Sequence, residues 1–84
     1  QSELQEKQNI DLFSKGLDEV NKTDIYTYVY NSEQQIGFLI GDNYNLSSKL
    51  VSLDGKSINI INALAIAYKA IQELNEKIEG GMSK

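Results

Sequence analysis

The sequence predicts an α+β fold: one small domain in the order α-β-β-(α)-α, with a two-stranded antiparallel hairpin packed on a long C-terminal helix. Three observations predict it. Apolar residues between Ile60 and Ile78 recur at alternating spacings of four and three, the period of a helix. Residues 25–30, IYTYVY, alternate at the period of two that a strand requires. At 84 residues the chain has room for a single domain.

Taken in order, Ser2 and Gln5 have the spacing of a capping box, so a first helix is expected over about residues 3–20. Ile10, Phe13, Leu17 and Val20 would line its apolar face. Gly16 interrupts this run at a cost of about 1 kcal/mol relative to alanine. Its presence predicts either a weakened helix or a close approach to another backbone. Asn21, Lys22, Thr23 and Asp24 end the helical period, and a hairpin is expected over about residues 25–40. Its strands are Ile25 to Tyr30 and Gln35 to Ile40, joined by a turn at residues 31–34, with Ile36, Phe38 and Ile40 facing the core.

Residues 44–53 place Leu46, Leu50 and Leu53 near helical spacing, so a short helix is expected there, with a third short strand through KLVSL as the alternative. The long helix is expected over about residues 58–79, with Ser57 as N-cap, Gly80 and Gly81 as the stop, and a flexible tail over 80–84. Within it, Ile60, Leu64, Ala67, Ile71, Leu74 and Ile78 form an a/d stripe. Ile61, Ala63, Ala65, Ile66 and Ala70 spread apolar surface round the rest of the helix, which should therefore be buried on more than one side. Two readings stay open. Either a second copy or another protein covers the stripe, or the first helix, the sheet and residues 44–53 wrap it. A homo-oligomer with the six stripe residues as its interface is the expectation.

Composition excludes several chemistries. Without cysteine there is no disulfide, thiolate nucleophile or zinc ribbon, and without histidine no Ser-His-Asp or Cys-His site. All eight basic residues are lysines, so the forked contact of arginine with phosphate or guanine is missing. Twelve acids give a net charge of −4, the wrong sign for tracking a nucleic-acid backbone and the right one for a basic protein partner. No apolar run approaches the roughly 18 residues of a membrane span. QSELQEKQ is too polar for the core of a signal peptide, and a cytoplasmic protein is expected, although a chain beginning at Gln1 leaves a removed leader open.

The tyrosines raise the binding question. On a strand, Tyr26, Tyr28 and Tyr30 share one face and Ile25, Thr27 and Val29 the other. With the aliphatic face on helices, the tyrosine face would offer broad rings with wet hydroxyls, which suits a partner-binding surface. The plain alternative is that the rings form the core side. Other motifs carry less. Gly41, Asp42 and Asn43 read as a turn rather than an anion site, and DNYNLS has Tyr44 where a calcium loop needs an oxygen ligand. Glu73, Glu76 and Glu79, interleaved with Lys69 and Lys77, read as a solvated helix face. No catalytic constellation, metal site or cofactor site is expected.

The asparagine- and lysine-rich style, the absence of arginine, the hairpin ending in GFLIGDN and the long helix INALAIAYKAIQELNEKI resemble small accessory proteins of prophages and other mobile elements in low-GC Gram-positive bacteria. The resemblance implies a role such as inhibiting a host protein or sequestering a protein or nucleotide signal. The function expected is a non-enzymatic protein-interaction module, in that context an inhibitor of a host protein. The alternatives are an oligomeric binder of a nucleotide-type ligand and a structural assembly subunit.

Overall fold

In the computed structural model the described residues are 6–82. They form α1 (Gly16–Asn21), β1 (Tyr26–Tyr30), β2 (Glu33–Gly37), a 3₁₀ turn at Ser48–Leu50, and α2 (Ile60–Met82). The α+β class holds, with an antiparallel hairpin, a short helix and a long C-terminal helix.

The first helix is much shorter than residues 3–20. Residues 7–15 are irregular, Asn9 has a left-handed φ of 55°, and Ile10 and Leu12 are exposed. The Ser2 and Gln5 capping box lies outside the described residues. The reason is tertiary. A short helix is held mainly by packing its apolar face, and α1 packs closely on α2 over Gly16–Asn21. There the lack of a side chain is required: a Cβ on Gly16 would lie 2.5 Å from the Ala70 nitrogen. Lys15 supplies no side-chain cap, and the Glu73 carboxylate of α2 instead accepts the free Leu17 N–H at 2.7 Å. Glu73 is thus a packing residue between helices rather than part of a solvated face.

β1 and β2 pair from Tyr26 with Gly37 to Tyr30 with Glu33. They turn through Asn31 and Ser32, both at positive φ (53° and 64°), as a two-residue hairpin with right-handed strand twist requires. The second strand therefore starts two residues earlier than Gln35 and ends at Gly37, so Phe38 and Ile40 have left the sheet. The hairpin meets α2 at its base. Its strands pack on each other, and the flanking residues Ile25 and Phe38 reach the space beside α2. Of the expected core face, Ile36 and Ile40 are exposed and Phe38 is half-buried.

Residues 44–53 divide between the two expectations. Ser48–Leu50 make the 3₁₀ turn, capped by the Ser47 hydroxyl accepting from the Lys49 N–H, and Val51 then forms an isolated bridge with Ile58. Asn59, not Ser57, caps α2: its side-chain oxygen accepts the Asn62 N–H at 3.0 Å. α2 runs through Gly80 to Met82 rather than stopping before it. The buried apolar side chains among the described residues are Leu50, Ile66 and Ala70. The radius of gyration is 15.9 Å, against about 12 Å for a compact chain of this length. No described helix is long and apolar enough to cross a membrane.

Candidate functional site

α2 carries two apolar faces, and the fold uses one. Ala63, Ile66, Ala70 and Glu73 are buried or half-buried against α1 and the 3₁₀ turn. At 3.6 residues per turn the a/d stripe is centred roughly 100° further round the helix. Its large members are open, from 50% exposed at Leu74 to 75% at Ile60, with Leu64, Ile71 and Ile78 between, and Ala67 is exposed too. Ile61 and Tyr68 extend the open surface along one flank. Neither the hairpin nor residues 44–53 wrap this stripe.

The three tyrosines do not form one open surface. Tyr26 is half-buried: its ring meets Tyr44 edge-on at 5.3 Å and 77°, and its hydroxyl accepts the Asn45 N–H at 3.1 Å. The Asn45 side-chain amide donates to Asp24 at 2.7 Å, strapping residues 44–45 to the base of the hairpin. Tyr28 lies over Gly37, where an added Cβ would come within 3.3 Å of its hydroxyl. Tyr30 alone of the three is exposed. On the opposite face, Ile25, Val29 and Ile36 are the open side chains, so the expected orientation of the two faces is reversed. Gly37 across from the tyrosines was the available sign, because a bare backbone invites a neighbouring ring to cover it.

Sequence spacing did not mark the buried polar cluster. Glu19 is buried, with one carboxylate oxygen accepting from the Ser47 hydroxyl and the other 3.2 Å from the Lys22 ammonium. The Thr23 hydroxyl donates to the Glu19 carbonyl at 3.2 Å and accepts the Ser47 N–H at 3.0 Å. The Ser47 hydrogen bond, with Lys22, holds the Glu19 carboxyl below its ordinary pKa against the opposing effect of burial. Among the described residues no buried side-chain polar atom lacks a partner. A carboxylate engaged through both oxygens clamps α1 to the 3₁₀ turn.

Next to this clamp lies an apolar cavity of about 220 Å³, walled by Val20, Ile25, Phe38, Leu50, Ala63 and Ala67. Ala67 belongs both to the stripe and to the cavity wall. Among the described residues no group of three acidic side chains is placed to hold a metal ion. No known protein family, curated protein or solved structure matches the chain.

Proposed function

We propose that the protein is a non-enzymatic protein-interaction module whose binding surface is the outward stripe of α2. One observation carries this reading: five large aliphatic side chains at heptad spacing are half or more exposed on a helix already anchored by a different face. Contiguous apolar surface of that kind is rare on a free monomer and marks an interaction site. The composition agrees, because a chain without histidine or cysteine has few means of covalent or acid–base chemistry. The partner-binding role expected for Tyr26 and Tyr28 passes to α2, since those rings are spent on Tyr44, Asn45 and Gly37. A nucleotide stacked between tyrosines has no support from this arrangement. The acidic charge has a place in the reading. Residues 23–48 hold Asp24, Glu33 and Asp42 and no lysine, so the hairpin region, apart from the α2 stripe, would favour a basic protein surface.

The test compares two lysine substitutions in thermal melts followed by circular dichroism. Ile66→Lys, in the inward face, should abolish the cooperative transition. Leu64→Lys, in the stripe, should keep native helicity and a cooperative melt. The reading fails if Leu64→Lys also loses its transition while the melt of the native chain is independent of protein concentration, because the stripe would then be core.

A further inference from the structure

We infer that the occupant of the α2 stripe is a second copy of this chain, docked antiparallel about a two-fold axis that crosses the seam midway between Ala67 and Ile71. This rests on the interaction-module reading and adds the identity and direction of the partner.

Charge comes first. The open flank of the stripe is Ile61, Tyr68 and Asn75, all uncharged, and reaches a charge only at its C-terminal end, at Glu79, while Lys69, Glu73 and Glu76 project from other sides of the helix. A chain of net charge −4 can therefore meet its own copy here without bringing like charges into opposition. A seam meant for a different protein usually carries charged flanks that select it and repel the copy. This one carries none along that flank between Ile61 and Asn75, and antiparallel pairing sets the two copies' Glu79 at opposite ends of the seam.

Size comes second. The stripe is nearly symmetric about residue 69. Antiparallel pairing sets Ile60 against the second copy's Ile78, Leu64 against its Leu74, and Ala67 against its Ile71. Large meets large at the ends, and small meets large at the centre. Parallel pairing would put Ala67 on Ala67 and leave a gap in the middle of a seam about 27 Å long. Antiparallel helices also set their dipoles in opposition, which is the favourable arrangement.

The cavity is the third observation. Its wall includes Ala67, the position that receives Ile71 of the second copy, so each Ile71 would cover that part of the other copy's cavity wall. Two-fold pairing thus covers the open stripe and part of the cavity wall together.

Because the chain has no cysteine, engineered thiols report the geometry directly. Leu64→Cys and Leu74→Cys chains are mixed and oxidised, each is oxidised alone, and the native mass is measured by light scattering. The antiparallel dimer predicts a cross-link in the mixture and little in either chain alone, because the two Leu64 positions lie roughly 15 Å apart along the axis. It also predicts a native dimer. Efficient linking of Leu64→Cys to itself would overturn the direction. A native chain that is monomeric at all concentrations, with Leu64→Lys folded, would overturn self-pairing and leave the module reading standing.

Discussion

At the scale of single residues, the fold depends on positions where an atom is either absent or fully engaged. Gly16 is the first kind. A methyl group there would collide with the Ala70 backbone, so Gly16→Ala should destabilise the domain by about 1–3 kcal/mol in urea melts, the usual cost of overpacking. Gly80 lies in the same type of structure, but nothing is within 4 Å of its added Cβ, so Gly80→Ala should be neutral or stabilising by up to about 1 kcal/mol. If the two changes behave alike, the close approach of α1 to α2 is wrong. Glu19 is the second kind. Its carboxyl titrates below its ordinary value in the folded state, chiefly through Ser47, so the stabilisation is fully present above the ordinary glutamate pKa. It is lost as pH falls through the lowered folded value. Ser47→Ala removes the main cause of that lowering. The stability gap between native and variant should therefore be widest near neutral pH and narrow in acid. A gap independent of pH would mean that Ser47 acts by packing rather than through the carboxylate.

At the scale of elements, α2 and the existence of the hairpin were legible because their signals are local. A four-three spacing sustained from Ile60 to Ile78 and a strict alternation from Ile25 to Tyr30 need no distant residue to be read. Gly16 was legible as well, since a glycine inside an apolar helical run implies a close approach. What was not legible depended on partners far along the chain. Ile10 and Phe13 have helical spacing with Leu17, but Ile10 stays exposed while Phe13 lines a groove with Val51, Ala65 and Ile66, and spacing alone does not sustain a helix. Which face of the hairpin is wet was decided by Tyr44 and Asn45, and the task of Glu73 by which side of α2 meets α1. That last contact makes a prediction. Glu73 stands in for the missing cap of α1, so Glu73→Ala should speed amide hydrogen exchange across residues 16–21 and cost about 1 kcal/mol. Exchange unchanged in α1 would show that the Leu17 N–H does not need the carboxylate.

At the scale of the whole molecule, the chain is extended, 50 × 38 × 22 Å, and buries few apolar side chains while leaving a complete helical stripe open. Both features follow if the domain finishes its core only on pairing. Covering a half-exposed leucine or isoleucine contributes on the order of 1 kcal/mol. Five such side chains on each copy then amount to roughly 10 kcal/mol, comparable with the about 4–15 kcal/mol that association costs in lost freedom. With gain and cost so close, the dimer should be a weak, reversible one, whose mass and melting temperature both fall on dilution.

Light scattering on the native chain over a dilution series tests the central claim most directly. If α2 pairs copies, the mass approaches twice 9.4 kDa at high concentration and falls towards 9.4 kDa on dilution, while Leu64→Lys stays at the lower value throughout. A mass of 9.4 kDa at every concentration, with a melt that does not change on dilution, would contradict it.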